Sequence, residues 1–379
     1  MSFRLLFAFL LLPFIAKAQT TVIDSIQSGG IWRNYRLHLP ANYNANTSLR
    51  PLILNLHGLG SNALEQEFYG DFRSIADTAG FLIVHPNGTT VNGFTYWNVG
   101  LNPGGANDVS FLSALIDTLA ARYRVDTRRV FSAGMSNGGI MSYYLASYLS
   151  QKIAAIASVT GSITSNGFPP PAPTHPMPVM QIHGTADPVV PYNGGPTTIP
   201  GVSSVTIDTV VKFWVTFNGC APSPQAFSIP NISTTDGCTA ERFLYTGGTS
   251  SSTVEFFKVT GGGHTWPGTP FNNMAGATNQ DFNASAEIWR FFRQYNLGTL
   301  SVTNAHARSL DLRLTPNPAR DAVHIDGAAD GTAEVMDMCG RTVLSVTGTT
   351  VSLRTLSAGT YTLRYTTTKG SSMAVFVKE

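Results

Sequence analysis

Short apolar runs alternate with amphipathic stretches from about residue 31 to residue 298. The runs at 52–56, 81–85, 130–133, 153–159, 179–183 and 254–259 are almost wholly apolar, which is typical of strands that are covered on both faces. Between them, apolar residues recur with helical spacing over 64–80, 108–123, 139–149, 205–217 and 284–295. This alternation predicts an α/β domain in which helices cover both faces of a mostly parallel sheet.

The pattern changes after residue 298. Residues 299–308 read as a linker, and about seven short alternating runs separated by glycine-containing turns follow between 309 and 379. Such spacing predicts a small antiparallel β-sandwich, similar to an immunoglobulin fold. We therefore expect a catalytic domain over 19–298, the linker, and a second domain over 309–379.

The first 18 residues have the features of a signal peptide. Arg4 supplies the positive start, residues 5–15 are apolar, and Ala16-Lys17-Ala18 is a small-x-small cleavage site. The apolar run is too short to cross a bilayer, for which about 20 residues are needed. We therefore expect export and removal of the segment.

Export permits disulfides. Cys220 and Cys238 lie close together in a loop-rich region, and the sequence predicts a bridge between them. Cys339 lies far away, in the predicted second domain, and is expected to be the unpaired thiol. The histidines never occur beside cysteines or acids at the spacing of metal ligands, so no metal or cofactor is expected.

Composition narrows the choice of function. Only 12% of the 379 residues are charged, and the formal net charge is +2. A net charge this close to zero provides no excess of positive charge with which to bind nucleic acid. The 22 Phe, 13 Tyr and 5 Trp residues provide ample material for a core, which excludes a disordered chain.

A serine nucleophile is predicted at Ser136. Gly134-Met135-Ser136-Asn137-Gly138 matches G-x-S-x-G directly after a predicted strand and before a predicted helix. Serine is a weak nucleophile that must project from a sharp turn toward a base. Glycines are expected on either side because that turn brings backbone segments too close for side chains.

The acid and the base are expected on loops at the carboxyl ends of later strands. Asp187 follows the strand predicted at 179–183, and His264 follows the one predicted at 254–259. In this order His264 would act as the base for Ser136, and Asp187 would hold the imidazole tautomer. Asp108 is a second candidate acid, although its place before the helix at 108–123 explains it as a cap.

Other acids and histidines fit less well. Asp236 and Asp281 are typical of solvated loops. Five other histidines fall at strand ends, where they can be satisfied core residues, in a proline-rich loop, in the linker or in the second domain; they are His85, His183, His175, His306 and His324.

An oxyanion hole is predicted from two backbone N–H groups, those of Asn137 and Leu59. Leu59 lies in His57-Gly58-Leu59-Gly60, directly after the strand at 52–56, and the alternative is a plain β-turn. His57 is expected to hold this loop and border the substrate. Trp97 and Trp266 lie in predicted loops, and their rings are expected to contact the substrate or to pack in the core.

These motifs make residues 31–298 resemble secreted esterases of the polyhydroxybutyrate depolymerase-like and feruloyl esterase-like group of α/β-hydrolases. The resemblance rests on LILNLHGLGSN, on NDVSFLSALIDTLAARYRVDTRRVFSAGMSNGGIMSYYLA, on MQIHGTADPVVPY and on GGGHTWPG. It implies an α/β-hydrolase fold, ester hydrolysis through an acyl-enzyme, and the triad of Ser136, Asp187 and His264. Leu59 departs from the pattern, since many members have a bridged cysteine there. The loop is therefore expected to be less tethered.

Residues from about 309 to 379 resemble the C-terminal sorting domain of the type IX secretion system. The matching features are Leu314-Thr315-Pro316-Asn317-Pro318, Met338-Cys339-Gly340-Arg341, Leu356-Ser357-Ala358-Gly359-Thr360-Tyr361 and Lys378. The resemblance implies the type IX machinery as a partner, passage through the periplasm and the outer membrane, and release or surface attachment.

The sequence thus predicts a secreted, monomeric serine esterase acting on feruloyl or acetyl esters of plant polysaccharide. The alternative substrate is polyhydroxybutyrate or a similar polyester. An alternative of another class is a non-catalytic surface protein that binds polysaccharide.

Overall fold

The computed structural model of the protein describes residues 20–100, 102, 104–199, 201–271, 275–300, 312–326, 330–337, 342–367 and 370–379. The described residues fall into two compact units that divide between residues 302 and 303. The predicted signal peptide, linker residues 301–308, His306 and Cys339 lie outside the described residues.

A ten-stranded sheet organises the first unit, in the order β1-β2-β4-β3-β7-β8-β9-β14-β13-β12. The strands of this unit are β1 (Thr20–Ser28), β2 (Ile31–Leu39), β3 (Arg50–Leu56), β4 (Leu82–Pro86), β5 (Thr89–Val91), β6 (Phe94–Tyr96), β7 (Val125–Met135), β8 (Ala155–Val159), β9 (Val179–Gly184), β10 (Gly195–Pro196), β11 (Ser203–Ser204), β12 (Gln225–Ser228), β13 (Thr239–Tyr245) and β14 (Val254–Thr260). The six central strands are parallel, and antiparallel strands extend both edges.

Helices lie on both faces of this sheet, as the apolar runs predict. They are α1 (Ala63–Tyr69), α2 (Arg73–Ala79), α3 (Asp108–Arg122), α4 (Asn137–Tyr148), α5 (Ile207–Asn218), α6 (Ala284–Phe292) and α7 (Leu297–Leu300). Alternate residues of one strand pack in opposite directions: Leu52 and Leu54 join the core cluster that includes α3, α4 and α5, and Ile53 joins the cluster that includes α2 and α6. The α/β fold class is confirmed.

Two local predictions about helices are wrong. The stretch 64–80 is two helices, because the chain breaks at Gly70, whose carbonyl accepts a hydrogen bond from Asn55 Nδ2 at 2.8 Å. A side chain at Gly70 would also lie 2.7 Å from Gln66 Nε2. Helix α3 is capped by Asn107, whose side chain accepts from the Ser110 N–H, rather than by Asp108.

The second unit is all-β. Its strands are β15 (Arg313–Thr315), β16 (Ala322–Asp326), β17 (Thr332–Met336), β18 (Thr342–Thr347), β19 (Thr350–Ser352), β20 (Gly359–Thr367) and β21 (Gly370–Lys378). They form antiparallel sheets in the orders β15-β16-β19 and β18-β17-β20-β21. Val323 of one sheet and Val335 and Leu363 of the other belong to one buried cluster, as expected of a small sandwich.

Among the helices that the structure describes, none combines the length and the hydrophobicity needed to span a membrane. Within the same residues, no group of three or more His, Cys, Asp or Glu side chains is arranged to hold a metal ion.

Candidate active site

Ser136 occupies a strained turn between β7 and α4. Its φ and ψ are 55° and −118°, a backbone conformation that residues other than glycine rarely adopt. Its N–H donates to Val159 O at 2.8 Å. The flanking glycines are required by close approach: a Cβ on Gly138 would lie 2.1 Å from Leu56 O, and one on Gly134 would lie 2.5 Å from the Gly138 carbonyl carbon.

Asp187 and His264 are brought together from loops that are 77 residues apart in sequence. β9 and β14 are parallel neighbours, so the loops that follow them meet at one edge of the sheet. His264 Nδ1 lies 2.8 Å from Asp187 Oδ2, and the side chain of Asp187 is fully buried. With an ionised acceptor, His264 carries its proton on Nδ1 and directs Nε2 away from Asp187.

The Asp187 carboxylate is held by further donors. Its Oδ1 accepts from the N–H groups of Val189 at 2.8 Å and Val190 at 2.9 Å. Burial by itself would raise its pKa, but hydrogen bonds from His183 and His264 outweigh that effect and hold the pKa well below its usual range. Asp187 is therefore ionised at neutral pH.

His183 is a second histidine on Asp187, and sequence reasoning missed this role. Its Nε2 lies 3.3 Å from Asp187 Oδ2 and 2.9 Å from Val190 O. Tyr143 Oη donates to Gln181 Oε1, so the Gln181 amide must turn its NH₂ toward His183 Nδ1, at 3.0 Å. The proton of His183 is thus on Nε2, shared between Val190 O and Asp187. The sequence feature that could have indicated this contact is the position of His183 at the end of a strand, four residues before Asp187.

Ser136 and His264 line one cavity of about 1070 Å³. Gly58, Leu59 and Asn137 line the same cavity. Much of the remaining wall is apolar, and includes Leu64, Phe68, Met135, Ile140, Val202 and Phe271. A largely apolar space with a few convergent polar groups is the usual form of a small-molecule site.

The two predicted oxyanion donors both border this cavity. Asn137 is the first residue of α4, where the backbone N–H has no acceptor within the helix. Its side chain is fixed by the backbone of Trp97, since Oδ1 accepts from the Trp97 N–H at 2.7 Å and Nδ2 donates to Trp97 O at 3.1 Å. The Leu59 N–H has no hydrogen-bond acceptor in the part of the chain that the structure describes.

His57 fixes the loop that carries Leu59. The Gly88 N–H donates to His57 Nε2 at 2.9 Å, so the ring proton is on Nδ1, which donates to Gly58 O at 2.7 Å. Burial lowers the pKa of His57 to about 4, which keeps the ring neutral. The Gly60 N–H adds a bond to Thr95 O at 2.7 Å. The loop therefore has non-covalent tethers in place of a disulfide.

Three predicted substrate-binding residues do not line the cavity of Ser136, and the two tryptophans follow the core-packing alternative. His57, Trp97 and Trp266 are buried, and none of them lines the cavity that holds Ser136. Trp97 Nε1 donates to His57 O at 2.9 Å, and Trp266 Nε1 donates to Ser285 Oγ at 3.1 Å. Each indole N–H finds its partner inside the protein, so these residues support the site from behind.

The predicted disulfide is also absent, because Cys220 and Cys238 are both free thiols. Cys220 packs in the cluster that includes α5, whereas Cys238 packs in the cluster that includes α6. Alternating residues of β14 face these two clusters, so the sulfurs lie on opposite faces of the sheet. Proximity in sequence was a misleading guide here.

The competing acids have structural partners. Asp108 pairs with Arg33 Nη2 at 2.7 Å, and both side chains are buried. Asp236 accepts from the Cys238 N–H, and Asp281 accepts from the Ile232 N–H, each at 2.8 Å. None of these carboxylates lines the cavity with Ser136.

The competing histidines also lie elsewhere. His85 and His175 are buried, and His175 bonds to carbonyl groups of Pro176 and Ser150 at 2.7 and 2.8 Å. His324 lies in the second unit and bonds to Thr350 Oγ1. Among the histidines that the structure describes, His264 alone lines the cavity.

Comparison with known proteins agrees with this architecture. Residues 43–228 match the family described as phospholipase/carboxylesterase. "Putative esterase NocK" of Nocardia uniformis subsp. tsuyamanensis is 32% identical over 72% of this chain and 82% of its own length. The chain belongs to this carboxylesterase family. The protein is accordingly a carboxylic ester hydrolase, and the resemblance to secreted esterases is confirmed.

The carboxylesterase is also similar to one further sequence relative and to one solved structure. Feruloyl esterase D of Neurospora crassa is 29% identical over 75% of this chain and 88% of its own length. The solved structure of an acetyl xylan esterase from Aspergillus awamori is 16% identical over 73% of this chain and 99% of that chain, with a TM-score of 0.50. At that identity the structural likeness supports the α/β-hydrolase fold alone.

The C-terminal part of the carboxylesterase matches a second family. Residues 313–379 match the secretion system C-terminal sorting domain. The predicted resemblance to a type IX sorting domain is therefore confirmed. The match begins within β15 and extends to the last residue of the sequence.

Proposed function

We propose that the carboxylesterase is a serine hydrolase in which Ser136, His264 and Asp187 form the catalytic triad. The observation that carries the proposal is the bond between His264 Nδ1 and the buried Asp187 carboxylate, beside the cavity that Ser136 also lines. Ser136 Oγ forms a bond to the ester carbonyl carbon while its proton passes to His264 Nε2.

The remaining steps return the enzyme to its starting state. The N–H groups of Leu59 and Asn137 stabilise the oxyanion of the tetrahedral intermediate. His264 then gives its proton to the departing alcohol, and the C–O bond of the ester breaks to leave an acyl-enzyme. Water attacks the acyl carbon as His264 takes the proton of that water. The carboxylic acid departs when the proton returns to Ser136.

The substrate that we propose is a feruloyl or acetyl ester of plant polysaccharide. A cavity of about 1070 Å³ with a largely apolar wall has room for a bulky aromatic acyl group as well as for acetyl. The similarity to Feruloyl esterase D of Neurospora crassa supports the same choice. The sorting domain and the predicted signal peptide support export through the periplasm and outer membrane by the type IX machinery, with release or surface attachment.

The first test is the variant Ser136→Ala. Loss of a triad serine costs up to about 10⁶ in kcat, so turnover of a short p-nitrophenyl ester and labelling by a fluorophosphonate should both disappear. Ser110→Ala is the matched control, because Ser110 is an exposed serine on α3 that lies outside the cavity. Undiminished turnover in purified Ser136→Ala protein would refute the triad.

A substrate panel separates the remaining alternatives. The purified protein is assayed with methyl ferulate, acetylated xylan and hydroxybutyrate oligomers. Preference for methyl ferulate or acetylated xylan supports the proposed substrate class, and preference for hydroxybutyrate oligomers supports a polyester depolymerase. Retention on polysaccharide without any turnover or labelling would support a non-catalytic binding protein instead.

A further inference from the structure

A second cavity, of about 730 Å³, opens beside the β1–β2 edge of the large sheet. Its wall combines aromatic rings, amides and hydroxyls, from Trp32, Asn34, Asn62, Asn87, Thr90 and Tyr96. Arg33 is the only lysine, arginine, aspartate or glutamate in the described lining, and its buried guanidinium is neutralised by Asp108 at 2.7 Å. The cavity therefore offers an uncharged hydrogen-bonding surface.

Trp32 is the most unusual member of this wall. Its side chain is 68% exposed, while Trp97, Trp214 and Trp266 are fully buried. Trp32 and Asn34 are two residues apart on β2, so both side chains point to the same side of the strand. An indole face and an amide are thus presented together to the second cavity.

Hydrogen bonds fix the direction of the amides. Asn62 Oδ1 caps α1 by accepting from the N–H groups of Leu64 and Glu65, so its NH₂ group must point the other way. Asn87 Oδ1 accepts from the Ala63 N–H, so Asn87 Nδ2 is the donor to Asn34 Oδ1, at 2.6 Å. The NH₂ groups of Asn34 and Asn62 have no acceptor among the described residues, and both remain free to donate to a ligand.

From this arrangement we infer that the second cavity is a binding site for a neutral oligosaccharide. A sugar ring has an apolar face that packs on an indole and a rim of hydroxyl groups that accept from amide N–H donors. Anionic ligands are disfavoured because Arg33, the one cation among the described residues of the wall, is already paired. The inference goes beyond the ester chemistry, and it does not depend on which ester is cleaved.

The second cavity adjoins the ester site through one short segment. Gly58, Leu59 and Ser61 line the cavity with Ser136, and Asn62 lines the second cavity. Gly88 and Thr95 line the second cavity and bond to His57 Nε2 and the Gly60 N–H, respectively. A glycan bound at Trp32 would therefore lie next to the loop that carries Leu59.

The test is calorimetric titration of the full protein with xylohexaose, cellohexaose and mannohexaose, which contain no ester and cannot be turned over by the esterase. We expect saturable binding of at least one of them, a loss of affinity of at least about tenfold in Trp32→Ala, and affinity within about threefold of wild type in Trp32→Phe. Asn34→Ala should weaken binding at least about threefold.

Ile23→Ala is the matched control. Ile23 is also 68% exposed, lies in the same β-hairpin and is not part of the cavity wall. Its variant should bind like wild type, and Trp32→Ala should keep the wild-type melting temperature and turnover of p-nitrophenyl acetate. Failure of all three oligosaccharides to bind, or unchanged binding in both Trp32→Ala and Asn34→Ala, would overturn the inference. If the wild-type protein binds a glycan but turns over no ester, that result would count against the proposed triad alone.

Discussion

The bond between His183 and Asp187 predicts a positioning role for a histidine outside the proposed triad. The side chains of both residues are fully buried, with His183 Nε2 at 3.3 Å from Asp187 Oδ2. The variant His183→Leu removes this donor and keeps an apolar side chain of moderate size. It leaves Asp187 with its two backbone donors and His264.

The magnitude follows from the bonds that are lost. A hydrogen bond to a charged group contributes about 1.5–3 kcal/mol, and the Gln181 amide loses its acceptor in the same substitution. We expect the free energy of unfolding at pH 7 to fall by about 2–4 kcal/mol. By the same reasoning, the pKa of Asp187 should rise from its lowered position.

The direction in which stability changes with pH follows from the lowered pKa of Asp187. A carboxyl whose pKa is depressed by folding adds stability above its unfolded pKa, near 3.9, and loses that contribution as the pH falls through the folded value. Because His183→Leu reduces the depression, the variant should lose less stability than wild type on acidification below about pH 4.

Catalysis should change in a direction that a merely structural role would not produce. Without His183, Asp187 loses one of the bonds that fix its orientation toward His264. We therefore expect kcat to fall about tenfold while KM stays within about twofold of wild type. Steady-state kinetics with a short p-nitrophenyl ester measures the two constants separately.

Two further variants isolate the cause. His183→Gln retains an N–H donor near the position of Nε2 and should restore kcat. His175→Leu also removes a buried histidine bonded to carbonyl groups, but one outside the cavity, and should lower stability without lowering kcat. A kcat within about twofold of wild type in His183→Leu would reduce His183 to a satisfied core histidine.

Two other predictions concern buried positions. Burial lowers the pKa of His85 to about 3. Between pH 7 and pH 5 the unfolded chain therefore gains a proton that the folded protein excludes, which should cost about 2 kcal/mol of stability at pH 5. In urea unfolding, His85→Leu should lack this part of the acid sensitivity, and the same loss of stability between pH 7 and pH 5 as in wild type would contradict the reasoning. In Gly138→Ala the new Cβ would lie 2.1 Å from Leu56 O, so we expect loss of more than about 3 kcal/mol and of at least about 100-fold in kcat. Gly104→Ala, where the nearest atom is 3.9 Å away, should change stability by less than about 0.5 kcal/mol, and equal effects of the two substitutions would refute the steric argument.

The sequence by itself determined the centre of the fold and the chemical groups at its edge. Continuous apolar runs predict buried parallel strands because such strands are covered on both faces, and β3, β4, β7, β8, β9 and β14 are where those runs place them. The edge strand β12 was not predicted, because it has no buried side chains. Residues of β12 are all exposed, so no alternation of apolar side chains marks that strand.

The same local logic explains the serine turn and the second unit. The G-x-S-x-G spacing expresses a steric requirement between residues four positions apart, and a Cβ on Gly134 would indeed meet Gly138. Seven short runs predict seven short strands, because the period of two is also a local property.

Only the tertiary structure decided which side chains meet. The order of strands in the sheet places the loops after β9 and β14 side by side, and this brings His264 and His183 onto one carboxylate. The same folding separates Cys220 from Cys238 across the sheet, although they lie close in sequence. It also buries Trp97 and Trp266 while leaving Trp32 exposed. Periodicity reports which face of an element is apolar, whereas contacts between elements depend on where the whole chain places each face.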